Sequence, residues 1–195
     1  MMPLTKDDLL SHAEYETQRQ NFRQRIIDLK KRRRISLGDR VTMVFENRET
    51  IQFQIQEMIR VERIFDSQKI QEELDVYNAL LPEQGELSAT LFIEITEDEQ
   101  IKPILDTFQN LDRDQTLAIH VGNQSVFAEF ESGHSKEDKM SAVHFIRFRP
   151  DPVWIAALQT ETQPVMTLVQ ETHSSEAKVP ALMRDEWLKD LVHGF

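Results

Sequence analysis

Cysteine is absent from this chain of 195 residues. That excludes a disulfide framework, a Cys-ligated zinc or iron–sulfur site and a thiol nucleophile. It also fits a reducing compartment. Glycine is scarce, at 5 residues, and neither G-x-x-x-x-G-K-[ST] nor G-x-G-x-x-G occurs, so no nucleotide motif is present. H-E-x-x-H and G-x-S-x-G are missing too, which removes two common hydrolase signatures. No apolar run approaches the roughly 18 residues that cross a bilayer. The opening MMPLTKDDLLSHAEYE is acidic early and has no apolar centre of the kind a secretory leader needs. The expectation is a cytoplasmic protein with no membrane contact. The length suits one domain over 1–195, because a chain of roughly 150 residues or more buries about 70% of its unfolded surface.

Charge is abundant and unevenly placed. There are 34 acidic against 23 basic side chains, a formal net of −11. Residues 1–65 carry 13 basic and 10 acidic groups, a net of +3; residues 66–195 carry 10 and 24, a net of −14. No Gly/Ser/Pro linker separates the two parts, so residues 1–38 read as a helical, basic segment packed on the rest. The densest basic stretch is Lys30, Lys31, Arg32, Arg33 and Arg34. Such a run can contact nucleic-acid phosphates, weakly and without sequence preference. It can complement the dipole of a helix C-terminus, or dock on the acidic remainder of its own chain. A net of −11 works against steering toward nucleic acid, so a complementary protein or a second copy is the favoured outside partner.

Hydrophobic periodicity predicts mixed structure. Phe22, Ile26 and Leu29 recur at helical spacing within a helix from about Glu16 to Arg34. Residues 40–46 alternate as a strand. Asn47 can cap a helix over 48–65, and Asp66 or Ser67 can cap another with Ile70, Leu74, Tyr77 and Leu81 on one face. Strands follow at 86–95, 116–121, 124–131, 141–149 and 164–171, with Gly122-Asn123 as a two-residue hairpin turn. A helix over about 96–110 interrupts them, with Pro103 marking a start inside it. Asp151-Pro152 opens a short helix and Pro180 a final one carrying Trp187, Leu188 and Leu191. The predicted class is α+β: a mainly antiparallel sheet of about six strands with N-terminal, connecting and C-terminal helices packed on it.

Several polar residues fall in apolar places. On the 48–65 helix, Ile51, Ile55, Met58 and Phe65 define the apolar centre. Glu62 projects within roughly 20° of that centre and Gln54 about 60° from it. An unpaired buried carboxylate costs several kcal/mol, so Glu62 needs a cation, a metal, a proton or a route to solvent. His144 shares a strand face with Ala142, Ile146 and Phe148, as a hydrogen-bonded core histidine or as a ligand. The face of 86–95 bearing Glu86, Ser88, Thr90, Phe92 and Glu94 is unusually polar. If it met the Glu62 helix, then Glu62, Glu94 and His144 would converge as a metal site or an acid–base pair. Glu57 would serve as a further ligand or base, and Arg60 and Arg147 as anion clamps. The catalytic candidates are therefore Glu57, Glu62, His144, Arg60 and Arg147. Glu131 and His134 have the E-x-x-H spacing of di-iron helices, but across Ser132-Gly133 that spacing loses its geometric meaning.

The stretches LKKRRRISLGDRVTMVFENRETIQFQIQEMIRVERI, IQEELDVYNALLPEQGELSATLFIEI and EDKMSAVHFIRF resemble the uncharacterised bacterial family labelled domain of unknown function 3501. The resemblance spans roughly residues 4–170, and the C-terminal tail carries least of it. The family's characteristic positions stand here as Arg32, Asn47, Gln54, Glu57, Arg60, Glu62, Glu86, Ser88, His144 and Arg147. Where relatives often have Thr, this chain has Met140. The resemblance implies no activity and no named cofactor. It implies a context, since such proteins are often encoded beside rubrerythrin-like and iron–sulfur oxidoreductase-like proteins. Either kind is then a partner for an accessory role in a redox or peroxide response. Lacking Cys, the chain could not itself hold an ordinary iron–sulfur cluster. The leading reading is such an accessory or interaction protein. The alternatives are a metal- or acid–base-dependent enzyme using the Glu/His/Arg set and a weak nucleic-acid binder acting through Lys30–Arg34.

Overall fold

The computed structural model describes residues 1–113, 115–131, 141–160 and 163–193. The polar stretch 132–140, including His134, lies outside the described residues. Eight strands form one antiparallel sheet: β1 (Arg34–Leu37), β2 (Val41–Glu46), β3 (Leu87–Ile93), β4 (Leu117–Val121), β5 (Gln124–Phe130), β6 (Val143–Phe148), β7 (Val165–Val169) and β8 (Ser174–Lys178). Their spatial order is β1-β2-β3-β6-β5-β4-β7-β8. The sheet curls until its two edges come alongside each other. At the seam, a Cβ on Gly38 would lie 3.5 Å from the Ser175 Cβ. The result is a nearly closed barrel, two strands richer than the six predicted. The additions are β1, which follows directly on the basic run, and β8, whose sequence SSEAK has almost no apolar signal.

Six α-helices lie among the described residues: α1 (His12–Lys31), α2 (Arg48–Val61), α3 (Ser67–Asn78), α4 (Ile101–Thr107), α5 (Pro152–Gln159) and α6 (Ala181–His193). Local chemistry sets most of their starts. Asn47 Oδ1 accepts from the Thr50 N–H at 3.0 Å, and Asp151 Oδ1 from the Trp154 N–H at 2.7 Å. Asp66 caps α3 through the N–H groups of Gln68 and Lys69. A Ser11–Glu14 capping box starts α1 earlier than the apolar period alone indicates. Helix α4 begins at Ile101, ahead of Pro103.

The barrel is filled with side chains. Val41, Met43 and Phe45 of β2 point inward with Leu87, Ala89 and Leu91 of β3 and Ile146 and Phe148 of β6. Trp154 of α5 and Trp187 of α6 enter the same core, and neither is exposed beyond 1%. The opposite face of β2, β3 and β6 carries α2 and α3 over a second core of Ile51, Ile55, Ile59, Leu74, Leu80 and Leu81. The polar face of β3 therefore does meet a helical layer. Ser88 Oγ donates to the Leu80 carbonyl at 2.7 Å and Thr90 Oγ1 to Glu46 Oε1 at 2.8 Å. Gln54 Nε2 reaches Glu46 Oε2 at 3.2 Å. Helix α1 packs across α2, with Phe22 edge-on to Phe53 at 5.8 Å. Among the described residues, no helix is long and apolar enough to cross a membrane.

Candidate functional site

The predicted convergence of Glu62, Glu94 and His144 does not form. Helix α2 stops at Val61, not Phe65, and Glu62 is its C-cap. Arg63 then turns left-handed at φ 53° and the Ile64 N–H bonds the Ile59 carbonyl. This turn carries Glu62 off the buried stripe into solvent, where Phe65 is also 71% exposed. Glu94 lies just past β3 and is exposed. His144 lies on the inner face with Ile146 and Phe148, on the other side of the sheet from α2, and is 2% exposed. Its Nε2–H donates to the Ser141 carbonyl at 2.8 Å, and its ring stands edge-on to Phe130. Among the described residues, no group of three or more His, Asp or Glu side chains is placed to hold a metal.

The remaining catalytic candidates sit in two separate ion-pair networks. Glu57 joins α2 to α1. Its carboxylate takes a bidentate pair from Arg19 at 2.7 and 2.9 Å, the Tyr15 hydroxyl at 2.7 Å and Arg60 at 3.2 and 3.3 Å. The Arg19 hydrogen bonds, aided by Tyr15 and Arg60, outweigh burial and hold Glu57 down to about 2. The same burial beside Glu57 pushes the Tyr15 hydroxyl up. Arg147 belongs to the second network, at the β3–β6–β5 end. It donates to Glu86 at 2.9 Å, Glu131 at 3.1 Å and the Leu81 carbonyl at 3.2 Å, and also to the Ala79 carbonyl. Arg149 bridges Glu86 and Glu129. Burial raises Glu86, but the Glu83 N–H and the two guanidinium groups outweigh it and leave Glu86 lowered. Arg60 and Arg147 thus bind the chain's own carboxylates, in different places.

The basic run is divided by the fold. Lys31 ends α1, Arg32 caps it, and Arg34 opens β1. Lys31 and Arg34 are exposed, Lys30 and Arg32 half-buried, and Arg33 has no exposure at all. Arg33 is therefore withheld from any outside partner. Its Nε donates to the Phe45 carbonyl at 2.9 Å and its Nη2 to the Glu46 carbonyl at 3.2 Å. Nη1 meets Glu186 at 3.2 Å, and Nη2 meets Asp190. Both acids lie on α6, so the run docks on the acidic remainder of its own chain. Glu186 also receives Arg32 at 3.3 Å and Lys189 at 2.9 Å. Burial raises Glu186, but Lys189, Arg33 and Arg32 outweigh it and leave it lowered. Burial dominates at Asp190 and pushes it up to about 6 despite Arg33. Two carboxylates one helical turn apart are thus driven in opposite directions, a pattern that acid–base sites share.

Above this network opens a cleft of about 750 Å³ between the end of α1, the start of α2 and α6. Arg32, Arg48 and Lys189 line it together with the carboxylates of Asp8, Glu49, Glu186 and Asp190. Sequence reasoning identified Arg32 here but not Arg48, Glu186, Lys189 or Asp190. A signal existed: Glu186 and Asp190 are spaced i, i+4 beside the buried stripe of Met183, Trp187 and Leu191.

A solved structure, described as a novel protein of unknown function from Burkholderia pseudomallei K96243, is similar to this chain. Its TM-score is 0.89 at 31% identity, over 97% of this chain and 100% of that one. No curated protein matches. The family model that matches, over residues 3–191, is described as protein of unknown function, and with nearly the whole length covered the chain belongs to that family, DUF3501.

Proposed function

We propose that this protein is an accessory component of a redox or peroxide-response system and works by contact with a protein partner. One observation supports this above others. Glu57 and Arg147, which the sequence offers for chemistry, are bonded inward, each to several partners in the same chain. Glu57 ties α1 to α2, and Arg147 ties the end of α3 to the barrel. A set of carboxylates does face outward: Glu62, Glu72, Asp75, Glu94, Glu97, Asp98 and Glu99 are all exposed. Such a surface recruits a partner with a complementary basic patch and speeds its approach. The partner suggested by the family resemblance is a rubrerythrin-like or iron–sulfur oxidoreductase-like protein. Contact of this kind weakens as salt screens it.

The test is co-purification of the untagged protein from its native cells in mild salt, followed by a salt wash. The expected result is a redox protein that accompanies the chain and is released as ionic strength rises. A preparation that brings down no oxidoreductase overturns the proposal.

A further inference from the structure

We infer that the outer face of β5, β4, β7 and β8 docks a second copy of this chain, as a two-fold dimer. The strand register sets two rows of side chains on that face. One row runs Phe127, Ala118, Thr167, Glu176 and the next Ser125, His120, Val165, Lys178. Their strand neighbours Leu117, Ile119, Met166 and Leu168 point the other way, into the barrel. Helices α2 and α3 lie elsewhere, over β2, β3 and β6. Ser125, Glu176 and Lys178 are exposed, Phe127 is 40% exposed, and Val169, the next outward residue of β7, is 59% exposed.

The chemistry of the two rows fits a second copy. Charge is sparse there, although 29% of the chain is charged. Only Glu176 and Lys178 carry it, both on β8. Interface cores are depleted in charge, and two chains of net −11 repel each other least where few carboxylates stand opposed. The polar centre is closed as well. His120 Nδ1 pairs with Ser125 Oγ at 2.7 Å and Nε2 with Thr167 Oγ1 at 2.8 Å. On a wet face water would serve those nitrogens. Hydroxyls that already do so let the ring be covered without leaving a donor or acceptor unmet. Glu176 and Lys178 stand two residues apart on one side of β8, and neither has an ion-pair partner among the described residues. A two-fold axis crossing the strands between the rows lays each row over the other. Glu176 then faces Lys178 of the second copy, and Lys178 faces its Glu176, so a single axis makes both pairs. A basic partner protein would instead leave Lys178 opposed to like charge. Four strands about 4.8 Å apart, rising about 3.4 Å per residue, make a patch roughly 15–20 Å across. That is small for a specific interface, so the dimer is reversible and forms on the order of 10–100 µM.

The test is sedimentation velocity of the full, untagged chain in low-salt buffer, from about 5 to about 300 µM to span that range. The expected result is a sedimentation coefficient that climbs from monomer toward dimer. Phe127→Asp should stay monomeric throughout; if it does not fold by circular dichroism, Val169→Asp takes its place with the same expectation. Glu176→Lys makes the chain less negative, so general repulsion between copies falls. The proposed pairing nonetheless predicts dimerisation at least tenfold weaker, because like charges then face each other. The swap Glu176→Lys/Lys178→Glu keeps the net charge and should restore the parent's association. Phe65→Ser, at the exposed end of α2, should leave it unchanged. A parent chain that stays monomeric at the highest concentration overturns the inference. So does a dimer that survives the Asp variant, tightens in Glu176→Lys or is not restored by the swap. The partner-capture experiment reads the carboxylate surface instead, so the two proposals stand or fall separately.

Discussion

Replacing Arg33 with Met tests the buried ion-pair network between the end of α1 and α6. The guanidinium has no exposure and binds two carboxylates and two backbone carbonyls. Met keeps an unbranched stem of similar reach and removes every donor. Glu186 would still hold Arg32 at 3.3 Å and Lys189 at 2.9 Å. Asp190 would lose the only ion-pair partner it has among the described residues. Removing one member of a buried pair costs about 3–5 kcal/mol, because the other charge stays behind unpaired. The surviving partners of Glu186 place the loss near the low end, about 3 kcal/mol. For a chain of this length each kcal/mol moves Tm by about 2–4 °C, so the melt should fall by about 6–12 °C.

The loss also carries a pH signature. Asp190 is raised to about 6 in the folded protein, so the folded state binds more protons than the unfolded one between that value and the ordinary 3.8. Stability from this group therefore declines as pH rises through that window. Without Arg33 the carboxyl rises further and the window of decline extends to higher pH, so the deficit is largest near pH 7.5 and narrower at pH 5. Urea denaturation followed by circular dichroism at both values measures it. In Arg33→Met/Asp190→Leu no unpaired charge remains on that side, and much of the loss should return. A single-variant loss below about 1 kcal/mol, or a deficit independent of pH, refutes the reasoning.

Four other variants probe the remaining candidates. Glu57→Gln should lower stability by about 1–3 kcal/mol at pH 7 in urea denaturation, since it loosens a charge-assisted set joining α1 to α2. Glu57 is held at about 2 instead of 4.5, so its stabilisation is fully present above 4.5 and is lost as pH falls toward 2. The variant's deficit must shrink over that range. Glu62→Gln and Glu94→Gln are solvent-facing changes and should stay within about 0.5 kcal/mol of the parent, whereas buried His144→Ala should cost about 1–3 kcal/mol. Thermal melts that shift all three to the same extent would argue for one shared site after all.

What the sequence determined by itself was local. Asn47, Asp66 and Asp151-Pro152 start their helices through side chains that bond N–H groups two or three residues on. Gly122-Asn123 joins β4 to β5 because the turn needs a positive φ, here 58°. Alternation correctly set the inner face of β2, β3 and β6, His144 included. Periodicity alone could not end α2, because the stop is a left-handed Arg63 and not a change in hydrophobic pattern. Those few residues decide whether Glu62 is buried or wet. Strands β1 and β8 exist because neighbours already in the sheet offer them a ladder; four residues at β1 and five mostly polar ones at β8 carry little pattern of their own. Which carboxylates receive Arg33 was settled only in three dimensions. Glu186 and Asp190 lie 153 and 157 residues away, brought there by α6 as it presses Trp187 into the barrel. A capping bond is specified by a few consecutive residues, whereas a buried ion pair is specified by everything that folds between its two halves.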